Sequence, residues 1–147
     1  MEDELIEGFN LIEHKEKVAL FDVQKELWDT ITKDLINVML FKENKFVFVS
    51  KSTDELSFIL SEDLAKDFEK YQVNILYGYR IIQICEDTHG IDHIGIVHKI
   101  SGLFAKSKIP ILYVNTYGNN FIIVSDEFYT PSIEKLKNIG FTIFIQE

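Results

Sequence analysis

The chain has 147 residues, enough for one compact domain or two small ones, and 46% of them are hydrophobic. A net charge of −9 and a single arginine, Arg80, oppose binding to nucleic-acid phosphates. No apolar run is long enough to cross a bilayer, and the acidic start "MEDELIEGFN" lacks the features of a signal peptide. The single cysteine, Cys85, fits a reducing compartment. We therefore expect a cytoplasmic protein with no membrane or nucleic-acid partner.

The first half of the chain predicts a strand, a helix, two strands and a short helix. The strand is "EKVALFDV" (residues 16–23), and the helix is "KELWDTITKDLINVML", where apolar residues recur at helical spacing: Leu27, Trp28, Ile31, Leu35 and Val38. "KFVFVSKS" and "ELSFILSED" predict the two strands. "SEDLAKDFEKY" predicts the short helix, with Ser61 as its N-cap and an inward face of Leu64, Ala65 and Phe68.

The second half predicts the same order of elements. "NILYGYRIIQIC" is a long strand with a kink at Gly78. Residues 92–107 predict a helix whose inward face is Ile96, Val97, Ile100, Leu103 and Phe104. "IPILYVNT" and "NNFIIVSDE" predict strands, "TPSIEKLKN" predicts a helix with Pro131 at its start, and "FTIFIQ" predicts the last strand.

The two halves also share a short motif. "FILSED" (58–63) corresponds to "IIVSDE" (122–127), and each follows a strand and turn and precedes a short helix. The order in each half is βαββαβ, the ferredoxin-like arrangement. We therefore predict an α+β fold of two tandem ferredoxin-like domains packed side by side, residues 11–76 and residues 77–147.

Polar residues should converge on one edge of the second domain. The first and third strands of a βαββαβ unit are neighbours, so the loop "EDTHGID" (86–92) should lie against "YGNN" (117–120). A helix start offers unpaired N–H groups to a carboxylate or phosphate, and Gly90 and Gly95 allow close approach to the backbone. Thr116, Tyr117 and Asn120 supply hydrogen-bonding groups opposite. A small zwitterion such as an amino acid matches this mixture, whereas "DVQKELW" in the first half offers no counterpart.

Simpler interpretations of the same residues remain open. Gly90 and Asp92 also suit a turn glycine and a helix N-cap. The histidines lack the spacing of a metal site: His98 is expected to face outward, and His14 has no visible partner. Cys85 lies in an apolar strand pattern and is expected to be a buried small side chain. Since no nucleophile or acid–base pair is evident, we expect neither an enzyme nor a cofactor.

One segment carries a family resemblance. "DHIGIVHKISGLFAKSKIPILYVNTYGNNFIIVSDE" (92–127) resembles the ligand-binding ACT domain of the CASTOR-type cytosolic arginine sensors and of small bacterial tandem-ACT proteins. The shared pattern is a Gly–Ile pair opening an apolar helix, a strand and polar turn, and a strand that ends in an acidic pair. The likeness is strongest over residues 90–127 and extends more weakly over residues 11–147.

The resemblance implies two ACT domains in tandem and a free amino acid bound between ACT units. In a chain with two units it implies a homodimer with two equivalent sites. By motif position the ligand would lie among residues of a loop, of the opposing turn and of a neighbouring unit's strand: Gly90, His93, Ile94 and Gly95; Thr116, Tyr117 and Asn120; and Ile109, Pro110 and Ile111.

Three positions depart from the arginine-sensing pattern. His93 and Asn120 stand where that pattern has acidic residues, and Pro110 replaces a small hydroxylated residue and removes a backbone donor. An arginine ligand would lose charge-assisted partners, so we expect a small or neutral amino acid instead. Two functions follow: an amino-acid-binding regulatory or sensing module, or a ligand-free scaffold for a regulatory protein partner with a vestigial pocket.

Overall fold

The structure, a computed structural model, describes residues 9–86 and 94–145, which divide into two compact units. The inserted unit is Glu16–Tyr79. The outer unit contains the described residues up to Lys15 and those from Arg80 onward. Strands β1 (Phe9–Val23) and β4 (Leu76–Glu86) each contribute residues to both units.

The inserted unit contains the second part of β1 followed by a helix, two strands and a short helix. These are α1 (Trp28–Leu40), β2 (Val47–Lys51), β3 (Leu56–Ser61) and α2 (Glu62–Ala65), with 3₁₀ turns at Lys25–Leu27 and Lys66–Tyr71. Strand β3 lies between β1 and β2 and pairs antiparallel with both. The register places Val18 opposite Ser61 and Phe48 opposite Ile59.

The core of the inserted unit is aromatic at its centre. Phe21 and Phe58 stack with ring centroids 4.7 Å apart, and Phe68 lies tilted 5.2 Å from each. Helix α1 buries Ile31 and Val38 against this cluster because seven residues are almost two helical turns. Burial of each such side chain stabilises the fold by about 1.5–3 kcal/mol.

The outer unit contains the first part of β1 and the elements from β4 onward. These are α3 (Ile96–Lys106), β5 (Leu112–Asn115), β6 (Asn120–Ser125), α4 (Asp126–Asn138) and β7 (Thr142–Ile145). Strand neighbours follow the order β7, β1, β4, β6, β5. Residues Asn10–Glu13 of β1 pair in parallel with β7, and β5 pairs antiparallel with β6.

The core of the outer unit lies between its strands and the helices α3 and α4. Its fully buried centre is Leu11, Ile82, Ile84, Ile100, Phe104, Ile122, Val124 and Leu136. The strand residues in this cluster alternate along β4 and β6, which is the period-two pattern of a sheet with one face against helices.

Several element predictions are wrong in detail. Strand β1 begins at Phe9 rather than at residue 16, because Phe9 and Leu11 pack into the outer core. Helix α4 begins at Asp126, so Pro131 lies inside it rather than at its start. Val97 was placed on the inward face of its helix but is 42% exposed.

Other predictions are confirmed. Helices and mainly antiparallel strands make a mixed fold, and the inward residues Leu64, Ala65 and Phe68 are buried. Gly78 lies inside β4 with φ +83°, a local backbone distortion through which the strand continues, and its N–H donates to Glu62 Oε1 at 2.7 Å. Tandem ferredoxin-like domains with bounds 11–76 and 77–147 stay a prediction. Within the described ranges, no helix is long and apolar enough to cross a membrane.

Candidate ligand-binding site

Among the residues that the structure describes, no side chain caps the start of helix α3. Gly95 is its N-cap, with φ +88°, a left-handed conformation that L side chains rarely adopt. No acidic residue lies in the first turn, and a Cβ built on Gly95 would have open space around it. The expected N-cap, Asp92, lies outside the described residues, and the cap is three positions later. The first-turn N–H groups therefore receive no side-chain cap within the described chain.

The turn between β5 and β6 is closed by Thr116 and Asn119. The Thr116 N–H donates to the Asn119 carbonyl at 2.8 Å, and the Asn119 N–H donates to Thr116 Oγ1 at 3.1 Å. Tyr117, at the tip, is 73% exposed. Asn120 is only 4% exposed and pairs with Asn115 across the hairpin. The turn thus presents an exposed aromatic ring beside fixed amide groups.

The segment between α3 and β5 is divided between the core and the surface. Ile109 is buried in the outer core, and its N–H donates to the Phe104 carbonyl at 3.0 Å. Ile111 is partly buried against the same core, whereas Pro110 is exposed. Ile109 therefore fills its own unit's interior, and Pro110 is the segment's exposed member.

The ten predicted site residues fall into four groups, one of which is the segment of Ile109, Pro110 and Ile111 between α3 and β5. Thr116, Tyr117 and Asn120 lie together in and beside one turn, while Ile94 and Gly95 are exposed at the start of α3. Strand β4, which precedes α3 in the chain, is the neighbour of β6, as predicted for the first and third strands. Gly90 and His93 lie outside the described residues. The assignment of all ten to one ligand site stays a prediction.

Sequence reasoning missed a hydrogen-bond chain that reaches this turn. His14 Nε2 lies 2.8 Å from Gln83 Oε1, and Gln83 Nε2 donates to Asn119 Oδ1 at 2.7 Å. The prediction that His14 has no partner is therefore wrong. These residues are far apart in sequence, and they meet because β1 and β4 are neighbours and β4 is the neighbour of β6. We name this set of three the relay.

A second polar feature missed by sequence reasoning surrounds the only arginine. The Arg80 guanidinium lies 3.9 Å from the ring centroid of Tyr129, with Nη1 3.4 Å from Asp126 Oδ1. Arg80 Nε and the Tyr129 hydroxyl are buried without a hydrogen bond of ordinary geometry within the described chain. Burial, and then the Glu13 carboxylate, raise the pKa of Tyr129 to about 12. The Arg80 guanidinium is therefore stacked on one aromatic ring with carboxylates close to the pair.

The inserted unit carries an exposed apolar surface. An open groove of about 730 Å³ runs along α1, lined by Asp29, Thr30, Thr32, Lys33, Asp34, Ile36, Asn37 and Phe41. We call the exposed apolar side chains at its end the α1 patch: Ile36, Met39, Leu40 and Phe41, which are 46–70% exposed. Within the part of the chain that the structure describes, no group of His, Cys, Asp or Glu side chains has the arrangement of a metal site.

One protein-family model matches part of the chain. Residues 74–138 match the model of the ACT domain. The matched segment contains β4, α3, the β5–β6 hairpin and all of α4. No curated protein matches the chain.

Solved structures share the fold over nearly the whole chain. Protein Atu0741 from Agobacterium tumefaciens is 16% identical, with a TM-score of 0.72 over 97% of this chain and 96% of that one. The regulatory subunit of aspartate kinase from Thermus thermophilus is 9% identical, with a TM-score of 0.63 over 93% and 99%. Aspartate kinase from Clostridium acetobutylicum, described as an allosteric enzyme, is 13% identical, with a TM-score of 0.65. The matched region covers 92% of this chain but only 35% of that enzyme.

Proposed function

We propose that this chain is a non-enzymatic regulatory module that binds a small or neutral free amino acid. The observation that carries the proposal is the ACT-domain match over residues 74–138, which contains both the start of α3 and the β5–β6 turn. The fold that the chain shares with a regulatory subunit of aspartate kinase agrees with a regulatory role. Tandem ACT units, a homodimer and a cytoplasmic location belong to the same proposal.

The geometry of the turn supports a zwitterionic ligand. The N–H groups at the start of α3, which no side chain of the described residues caps, suit a carboxylate because the helix dipole places partial positive charge there. Backbone carbonyls of the turn supply acceptors for an ammonium group. No acidic side chain lies between Thr116 and Asn120, so a guanidinium would find no charged partner in the turn.

The test is thermal unfolding of the purified protein against each of the twenty amino acids. A ligand present at a hundred times its dissociation constant stabilises the folded state by about 2.7 kcal/mol. For a chain of this size the expected rise in Tm is roughly 5–10 °C. If none of the twenty raises the Tm, the chain is not an amino-acid sensor. Size-exclusion chromatography of the same samples tests the homodimer.

Two exposed aromatic residues give a matched pair of variants. Tyr117→Ala removes the ring at the tip of the candidate turn, and Phe41→Ala removes a ring of similar exposure from the inserted unit. Neither ring is part of a hydrophobic core, so both variants should fold. We expect Tyr117→Ala to reduce the ligand-induced shift and Phe41→Ala to leave it unchanged. Equal effects of the two variants would place the ligand elsewhere.

The second candidate function is a protein-interaction scaffold, and the α1 patch favours it. Single exposed apolar side chains are common on the surfaces of monomeric proteins. Four large apolar side chains exposed together are instead typical of an interaction surface. Under this alternative the amino acids leave the Tm unmoved, and the wild-type chain forms an assembly detectable by sedimentation velocity. Phe41→Ala then weakens the assembly, while Tyr117→Ala does not. An assembly indifferent to Phe41→Ala would count against the scaffold.

A further inference from the structure

Almost every polar group of Asn119 already has a partner. Its N–H donates to Thr116 Oγ1 at 3.1 Å, and its carbonyl accepts from the Thr116 N–H at 2.8 Å. Its Oδ1 accepts from Gln83 Nε2 at 2.7 Å. The remaining polar group is the Nδ2 amine, which has two N–H donors and no acceptor within the described residues.

The direction in which hydrogen bonds are donated along the relay decides whether the Asn119 side chain has its Nδ2 or its Oδ1 without a partner. With Gln83 Oε1 toward His14, the imidazole Nε2 must donate. Both the imidazolium and the neutral tautomer with a proton on Nε2 satisfy this requirement. The reverse direction requires an unprotonated Nε2, and it turns both amides so that Asn119 presents Oδ1 instead. The relay therefore has two self-consistent directions, and the one with Gln83 Nε2 toward Asn119 Oδ1 leaves an amide donor at the turn.

We propose that His14 and Gln83 are positioning residues that hold the Asn119 amide with its Nδ2 amine free, so that the β5–β6 turn offers a donor to a ligand carboxylate. The proposal deepens the proposed function, since it requires the turn to be the amino-acid site. It adds Asn119 as a binding residue that motif position did not assign. It also gives His14 and Gln83, on β1 and β4, an effect on ligand specificity.

Two variants separate the amide direction from the integrity of the turn. In Gln83→Glu the new carboxylate only accepts, so the Asn119 amide must rotate to donate to it and then exposes Oδ1. In Asn119→Asp the side chain still accepts from Gln83, but the free donor is lost. The backbone bonds between Thr116 and residue 119 remain available in both variants. His14→Gln supplies a replacement donor to Gln83, whereas His14→Leu supplies none.

The first measurement needs no ligand: the side-chain amide resonances of the ¹⁵N-labelled protein by NMR. In the wild type we expect one Gln83 amide proton to be shifted downfield and slow to exchange, and both Asn119 Nδ2 protons to exchange fast. In Gln83→Glu an Asn119 Nδ2 proton should become the slow one. A slow Asn119 Nδ2 proton in the wild type would mean the reverse direction and would overturn the inference.

The second measurement is affinity for the amino acid that the twenty-member screen identifies, and for its C-terminal amide. We expect Asn119→Asp and Gln83→Glu to weaken binding of the free amino acid by about tenfold or more. Both should weaken binding of the C-terminal amide less. His14→Gln should preserve more affinity than His14→Leu. Unchanged affinity in Asn119→Asp and Gln83→Glu would overturn the proposal while leaving the sensor intact.

Failure of the proposed function gives a different result. If no amino acid binds the wild type, the sensor and the carboxylate contact both fail. The NMR measurement then still decides the direction of the relay, because it depends on no ligand.

Discussion

At the scale of single residues, one charged cluster joins α1 to the 3₁₀ turn that ends the inserted unit's short helix. Tyr71 donates to Asp34 Oδ2 at 2.5 Å, and Lys70 Nζ lies 2.6 Å from the same oxygen. The Lys70 hydrogen bond, and then that of Tyr71, hold the pKa of Asp34 below its usual value. The carboxylate side chain is 22% exposed, so solvent screens part of this effect.

We predict that Asp34→Asn destabilises the protein by about 0.5–1 kcal/mol at pH 7. A lowered folded-state pKa favours the folded protein above the unfolded pKa of about 3.9, and this contribution disappears as the pH falls through the lower folded value. The difference between wild type and variant should therefore close in acid. Urea unfolding at pH 7 and at pH 3 measures it. A difference that stays constant between these pH values would show that the charge of Asp34 is irrelevant.

Tyr129 gives a second residue-scale prediction, because its hydroxyl lies buried beside Glu13 without a hydrogen bond of ordinary geometry. Tyr129→Phe keeps the ring beneath Arg80 and should change the free energy of unfolding by less than about 0.5 kcal/mol. Tyr129→Leu loses the cation–π contact and should destabilise the protein by about 1–2 kcal/mol. Chemical denaturation compares the two. A loss above about 1 kcal/mol in Tyr129→Phe would mean that the hydroxyl does donate to Glu13.

The residues that sequence could predict are those whose role depends on local spacing. Leu64, Ala65 and Phe68 share one helical face, and each is buried. The partner of His14 could not be predicted, because Gln83 is 69 residues away and meets it only across two strands. Asn119 lies inside the predicted turn but was not predicted as a binding residue. Its capacity to bind a ligand depends on which of its polar groups already have hydrogen-bond partners, and the sequence does not show this.

At the scale of elements, two glycines of ordinary appearance in the sequence have opposite roles. Gly78 lies inside β4 with φ +83°, while Gly102 lies inside α3 with open space where a Cβ would be. We predict that Gly102→Ala stabilises the protein by about 0.4–1 kcal/mol, because alanine favours a helix interior. Gly78→Ala should destabilise it by about 1–2 kcal/mol through backbone strain. Thermal unfolding distinguishes them, and two shifts of the same sign would contradict this account.

Sequence periodicity predicted the type of most elements but not their ends. Helix α4 begins at Asp126 because the carboxylates of Asp126 and Glu127 interact favourably with the positive end of the helix dipole. The prediction used Pro131 to mark the helix start and gave too little weight to these two acidic residues. Strand β1 extends back to Phe9, through "NLIEHK", where the alternation is broken by charges. Because of these polar residues, the sequence pattern did not predict a strand here, although Phe9 and Leu11 pack in the outer core.

At the scale of the whole molecule, the sequence did not predict which strands pair with β1. Two successive domains were predicted, in which the last strand completes the second domain by itself. In the structure β7 pairs in parallel with Asn10–Glu13 of β1, more than a hundred residues earlier. Hydrophobic periodicity indicates that a segment is a strand, but it does not indicate which other strand it pairs with. The pairing of β7 with β1 could therefore not be predicted from the pattern.

The pairing of β7 with β1 leads to the last prediction. A fragment of residues 77–147, the predicted second domain, lacks the strand beside β7 and the core side chains Phe9 and Leu11. Burial of those two side chains contributes about 1.5–3 kcal/mol each, which is a large share of the stability of a small domain. We expect the fragment to show no cooperative thermal transition by circular dichroism. Residues 9–15 joined by a flexible linker to residues 80–147 should restore the transition. A fragment 77–147 that melts as sharply as the linked chain would establish residues 77–147 as an independent domain and make the β1 pairing dispensable.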